Sequence, residues 1–149
     1  VARPIPPRTI REATVHDAES IREVYGADAV GDLVSRLADS RTEAGTTHYV
    51  VESDALVVAV FSVTALARLR PGGKSRLILH EIKFRPNLRG TGIAGDIFQW
   101  LATSLAVGTE YELLALTAPG QHPAVFDDFG LSESHHVFKW PVRSGGERT

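Results

Sequence analysis

The sequence predicts a mixed α/β (α+β) domain, built on a mostly antiparallel central sheet of about six strands with about four helices flanking it. Three features carry that prediction. The apolar period is helical up to about residue 38 and becomes two from residue 48 onward. Three runs of strand composition then follow one another with only short turns between them, the pattern of an antiparallel meander. Last, a long apolar helix leads into a short, nearly continuous apolar run, as expected of a crossover helix and a buried strand. A chain of 149 residues suits one domain, and 43% apolar with 23% charged residues excludes a disordered or collagen-like chain.

Residues 1–8 hold three prolines and no periodicity. They read as a flexible arm before a single domain over 9–142 and a polar tail over 143–149. Thr9 to Thr14 alternates as a first strand. Thr14 and Asp17 have capping-box spacing, and the helix they open runs to about Gly26 with Ala18, Ile21, Val24 and Tyr25 on one face. A second helix, about Ala29 to Ala38, sets Val30, Leu33, Val34 and Leu37 at i, i+3, i+4 and i+7. His48–Glu52 and Leu56–Ala67 form a hairpin about a turn at Ser53-Asp54. The turn signal Arg70-Pro-Gly-Gly73 leads into a third run, Ser75–Phe84. Gly92 to Val107 is the best helix, with Ile93, Ile97, Leu101, Leu105 and Phe98 in its apolar stripe and Gly108 as its stop. Glu112–Thr117 is a buried strand, Pro123–Phe129 a short helix ended by Gly130, and His135–Val142 a final strand.

Several functions are excluded or disfavoured by composition. The net charge of −2 and a pI of about 6.3 give no global positive field for nucleic acid or an anionic membrane. No stretch reaches the ~20 apolar residues of a membrane helix. The N-terminus lacks the apolar core and cleavage site of a secretory signal, so the expected location is cytoplasmic. With no cysteine, disulfides, thiolate nucleophiles and Cys-ligated zinc are excluded. Only Lys74, Lys83 and Lys139 are lysines, a bacterial-like bias of a GC-rich genome. No metal is expected: His135 and His136 are adjacent on a strand, where side chains diverge, and no acid or histidine lies at a suitable spacing.

The segment that carries chemistry is Phe84-Arg-Pro-Asn-Leu-Arg-Gly-Thr-Gly-Ile-Ala-Gly-Asp96. A strand ends, a glycine-dense loop follows and a long helix begins. First-turn N–H groups lack backbone acceptors, and glycines let a phosphate approach the main chain. The segment therefore reads as an anion cradle, with Arg89 as a second contact. Gly90 to Gly95 also spells the dinucleotide fingerprint, but that motif follows its strand directly and opens a βαβαβ unit. Here five residues intervene and a meander comes first. A Walker loop fails for want of Gly-Lys-Ser/Thr.

This segment resembles the acyl-CoA site of the GNAT superfamily of N-acetyltransferases. Arg89-Gly-Thr-Gly92-Ile-Ala94 matches that family's R/Q-x-x-G-x-G/A, and Phe84-Arg-Pro86 its hydrophobic-x-Pro at the end of the preceding strand. The order of elements agrees over about residues 9–142. The resemblance implies that main-chain N–H groups of Leu88, Arg89, Gly90, Thr91, Gly92, Ile93 and Ala94 hold the pyrophosphate of acetyl-CoA or another acyl-CoA. It also implies that strands four and five splay apart around the pantetheine arm, with N–H groups of Ile82, Lys83 and Phe84 facing the thioester carbonyl.

The implied reaction moves an acetyl group to a primary amine, on a small molecule or a peptide, by direct attack on the thioester. The amine must shed a proton. His80 and Glu81 stand where this family often carries a basic residue, and strict alternation lets only one of them enter the cleft. Glu81 is favoured, because a carboxylate both attracts an amine and relays a proton by water; a surface pair with Lys83 or an arginine is the plain alternative. The tyrosine that the family uses to protonate the departing thiolate is replaced by Phe126. His122 is the nearby side chain that could substitute, and Gln121 stands nearest the polar residue carried earlier in this helix. The segment after Gly130 is short for the two strands that usually follow. Two alternatives share the fold: a degenerate acyl-CoA-binding or sensing domain, and an enzyme with a different acyl donor or nucleophile. An exposed terminal strand suggests a homodimer.

Overall fold

The computed structural model describes residues 7–26, 37, 45–66, 75–86, 88, 92–105, 111–117, 123–134 and 137–142. Five strands form one sheet in sequential order: β1 (Arg8–Glu12), β2 (Thr46–Ser53), β3 (Leu56–Leu66), β4 (Ser75–Phe84) and β5 (Tyr111–Ala115). The first four pair antiparallel, and β5 pairs parallel to β4. The β4–β5 connection passes through α2 (Ile93–Trp100), as a parallel pair requires. Helix α1 (Ala18–Tyr25) lies between β1 and β2 in sequence, and α3 (Ala124–Asp128) follows β5.

The sheet is covered on both faces, which is why β3 reads as a continuous apolar run from Val57 to Phe61 and is buried throughout. On one face Ile21 and Val24 of α1, with Leu37, pack on Val50, Val57 and Val60. On the other, Ile93, Ile97, Phe98 and Leu101 pack on Tyr49, Val51, Phe61, Val63 and Leu79. Trp100 closes this core edge-on to Tyr49, at a centroid distance of 4.9 Å, and Tyr49 stacks on Phe61 at 5.1 Å. Burial pushes the Tyr49 phenol above its ordinary pKa.

The expected elements recur with defined differences. The first strand starts one residue early, at Arg8, and ends at Glu12. The Thr14–Asp17 signal opens a 3₁₀ turn, Val15–Asp17, before α1; the Asp17 carboxylate accepts the Thr14 N–H at 2.7 Å. The hairpin turns at Asp54 and Ala55, both at positive φ (50° and 62°), one residue later than expected. The central helix widens at Leu101 into a five-residue π-helical segment, Leu101–Leu105. There the Thr103 hydroxyl donates to the Gln99 carbonyl. The second helix and the Arg70–Gly73 turn lie outside the described residues, apart from Leu37, which is helical and buried.

Among the described residues no sixth strand is present. Residues 137–142 have no strand pairing, and Val137, Phe138, Trp140 and Val142 are each at least 71% exposed. Strand composition alone does not make a strand, because each backbone group needs a partner edge. Among the described residues the sheet therefore has five strands, with three α-helices, against the six and four expected.

Candidate active site

The site is built where β4 and β5 part. Their pairing runs from Ser75↔Tyr111 to Leu79↔Ala115 and closes with the Leu116 N–H donating to the Leu79 carbonyl at 3.1 Å. From His80 to Phe84, β4 continues with no strand partner on that side among the described residues. At the same point β4 carries a bulge. Ser62 pairs with His80 and Val60 with Lys83, so Glu81 and Ile82 together oppose Phe61. Glu81 takes the left-handed position, φ 56°, which glycine usually fills in such bulges.

The bulge resets the alternation of side chains. His80 shares the α1-side face with Ser62, while Ile82 and Phe84 pack into the core on the α2 side. Lys83 is exposed opposite Val60. Glu81 is the inserted, exposed residue. The rule that only one of His80 and Glu81 can enter the cleft therefore does not hold here, because it assumed an unbroken strand. The Glu81 carboxylate reaches Tyr25 at the end of α1 electrostatically: burial first, and then this charge, push the Tyr25 phenol above its ordinary pKa.

Beyond β4, Arg85 anchors the strand exit. Its N–H donates to the Val58 carbonyl at 2.8 Å, its Nε to the Val57 carbonyl at 2.9 Å, and its Nη2 reaches Glu23 of α1 at 3.1 Å. Leu88 packs against the α2-side core, and its N–H donates to the Arg85 carbonyl at 3.2 Å. Arg89, Gly90 and Thr91 lie outside the described residues, as do Gln121 and His122.

Gly92 caps α2 with φ 82° and ψ 7°, a left-handed conformation, and no side chain caps the helix. The first carbonyl it offers accepts the Asp96 N–H, so the N–H groups of Ile93, Ala94 and Gly95 precede the first bond of the helical ladder. In this first turn Ile93 is buried and Ala94 is partly exposed. Arg8 reaches this helix start from β1. Its guanidinium bonds Asp96 in the first turn of α2 at 2.5 Å and stands 3.7 Å from where a Cβ on Gly92 would lie. Pairing across 88 residues is a tertiary fact with no local signal.

Phe126 is part of the core. Its ring meets Phe98 edge-on at 5.7 Å, and its N–H donates to the Pro123 carbonyl. Among the described residues no cluster of three or more His, Asp or Glu side chains could hold a metal, and no helix is long and apolar enough to cross a membrane. His135 and His136 lie outside the described residues.

Solved acetyltransferases share this overall architecture. The chain superimposes on glucosamine-6-phosphate N-acetyltransferase from Arabidopsis thaliana at a TM-score of 0.71 and 14% identity, covering 91% of this chain and 99% of that one. AAC(6')-Iy in complex with the bisubstrate analog CoA-S-monomethyl-acetylneamine gives 0.69 at 13% identity, covering 92% and 99%. A transcriptional regulator from Bacillus halodurans gives 0.74 at 20% identity, covering 91% and 100%. The chain has the GNAT fold. No protein-family model matches its sequence, and no curated protein does. The GNAT likeness thus rests on architecture, and within it Gly92 to Ala94 stand at the start of the helix between β4 and β5.

Proposed function

We propose that this chain is an acyl-CoA-dependent N-acyltransferase that moves an acetyl group from acetyl-CoA to a primary amine. The observation that carries the reading is the parting of β4 from β5 at Leu79, beside the bulge, with the connection between the two strands passing through α2. An extended pantetheine arm fits between the two strands as an added strand would, and a diphosphate suits the N–H groups at Ile93 and Ala94. The neighbours named for N-acetyl transfer, one bound to a CoA bisubstrate analog, support an acyl-CoA donor and an amine acceptor.

In this reading the neutral amine attacks the thioester carbonyl, and main-chain N–H groups of Ile82 to Phe84 stabilise the oxyanion. Collapse expels the CoA thiolate. Glu81, exposed at the bulge, draws a cationic acceptor to the cleft and, with His80, is a candidate for taking its proton. The test is thiol release from acetyl-CoA with ethanolamine, glucosamine and a lysine-containing peptide as acceptors. Amine-dependent release supports the enzyme. Binding of acetyl-CoA without release favours a degenerate binding domain, the reading to which the ring of Phe126 lends weight. Release only with longer acyl-CoAs favours a different donor.

We also propose a homodimer. Monomeric proteins rarely expose contiguous large apolar side chains, and residues 137–142 present Val137, Phe138, Trp140 and Val142 together. β5 pairs only with β4 among the described residues, so it offers an edge. Sedimentation of the protein against a Phe138→Lys, Trp140→Lys variant decides it: a dimer that the double variant dissociates supports the reading, and a monomer in both ends it.

A further inference from the structure

Where β4 runs on past Leu79 without a further strand partner beside it among the described residues, its two faces differ in chemistry. On the α2 side Ile82 and Phe84 pack into the apolar core. On the α1 side stand His80, which opposes Ser62, and Lys83, which opposes Val60. His80 is engaged in a hydroxyl and imidazole row that the register assembles. Its Nε2 lies 2.7 Å from Thr64 Oγ1, which lies 2.9 Å from Thr46 Oγ1, and Ser62 Oγ lies 2.5 Å from His48 Nδ1. Lys83 is different. It is exposed, and its ammonium has no hydrogen bond or ion pair among the described residues, Glu81 included.

The backbone sets this ammonium beside the place where an acyl donor would react. The Arg85 N–H donates to the Val58 carbonyl at 2.8 Å, so it faces β3. Peptide direction alternates along a strand, which turns the Phe84 N–H toward the open side of β4. A thioester carbonyl accepting from that N–H has Lys83 as its immediate neighbour. An extended arm alongside β4 runs roughly 4.8 Å from it, the ordinary spacing of strands. Lysine's flexible four-carbon stem spans that separation, and lysine, unlike arginine, sheds its proton readily enough to act as a nucleophile. The chain has three lysines, Lys74, Lys83 and Lys139, and only Lys83 lies on β4.

We propose that Lys83 is a self-acetylation site, its Nζ accepting the acetyl group of bound acetyl-CoA when no amine is present. This rests on the acyl-transfer reading. The Lys83 ammonium gives one proton to water, and the freed pair on Nζ forms the N–C bond while the carbonyl pair moves onto oxygen. Collapse restores the carbonyl and breaks the C–S bond, whose electron pair leaves on sulfur. Nζ gives a second proton to water and the thiolate takes one proton from water. The products are acetyl-lysine, coenzyme A and one released proton.

The test incubates the full chain with acetyl-CoA, without amine, and follows each lysine by peptide mass spectrometry. Lys83 should gain one acetyl group at least about tenfold faster than the exposed Lys139, which meets the donor only from solution. Its rate constant should not depend on protein concentration, and Gly92→Asp should lower it to that of Lys139. A second readout needs no turnover. Desulfo-CoA, which carries neither acyl group nor thiol, should shield Lys83 from acetic anhydride and leave Lys139 as reactive as before. Equal acetylation of Lys83 and Lys139, a rate constant that rises with protein concentration, or no shielding by bound desulfo-CoA overturns the proposal. So does an unmodified Lys83 in a chain that acetylates an added amine, a result that leaves the acyl-transfer reading standing. If acetyl-CoA neither shifts the melting temperature nor turns over with any amine, that reading itself fails and the proposal with it.

Discussion

Asp17 shows how much one side chain can order around a site. Its carboxylate accepts two bonds from the Arg11 guanidinium at 2.8 Å each and one from the Thr14 N–H, and Arg11 also pairs with Glu52. The Arg11 bonds, ahead of the opposing effect of burial, hold the Asp17 carboxyl below the ordinary aspartate value. A depressed folded pKa means stability that is present above the unfolded value and lost as pH falls through the folded one, so this contribution disappears below about pH 4. Asp17→Asn should cost about 1.5–3 kcal/mol at pH 7, some 3–12 °C in Tm, and the gap from native should narrow in melts taken below pH 4. At Gly92 the issue is charge as well as conformation, since φ 82° favours glycine and tolerates Asn or Asp. Gly92→Asp should abolish acetyl-CoA binding while Gly92→Asn weakens it less, as calorimetry can measure; equal binding by both would misplace the diphosphate. Phe126 offers no proton, and a thiol with pKa near 8.5 can leave without one. The Tyr25 phenol, pushed up by burial and Glu81, is a poor acid. Tyr25→Phe should therefore keep kcat within about threefold, and a hundredfold loss would identify it as the acid.

At the scale of elements, the strands were legible wherever local composition and punctuation agree. Ser75–Phe84 matches its expected bounds because a Gly-Gly signal precedes it and Arg85-Pro86 follows. The hairpin was legible too, but its turn is offset because Ala55, rather than glycine, occupies a left-handed position. Ala55→Gly should relieve that conformation and raise stability by about 0.5–1 kcal/mol, read as a Tm increase of about 1–4 °C. The bulge at Glu81 was not legible. A bulge is a miscount between two strands, and a glutamate in its left-handed place gives no local sign. The hydroxyl and imidazole row was hidden for the same reason: Thr46, Ser62, Thr64 and His80 become neighbours only through register. The π-helical segment also had no signal, since Ile93, Ile97 and Leu101 keep the spacing of an ordinary helix and are buried as such a stripe requires.

For the whole molecule, the start of α2 at Gly92 was legible because a glycine before an apolar helical stripe has a direct physical meaning, whereas the Arg8–Asp96 pair joins residues 88 apart. The final strand was not legible from composition: residues 137–142 have strand composition but pair with no strand among the described residues. Three places matter most for the acyl-CoA reading: the α2 entry at Gly92, the bulge at Glu81 and the parting of β4 from β5 at Leu79. Together they should form one elongated site for an acyl-CoA. The most direct measurement is thermal unfolding with acetyl-CoA, longer acyl-CoAs, NAD or ATP. A ligand at ~100 times its Kd stabilises a fold by about 2.7 kcal/mol, which is several degrees for a domain of this size. That rise is expected with acetyl-CoA, is expected to be lost in Gly92→Asp and is not expected with NAD; no shift with any CoA species would overturn the acyl-CoA reading.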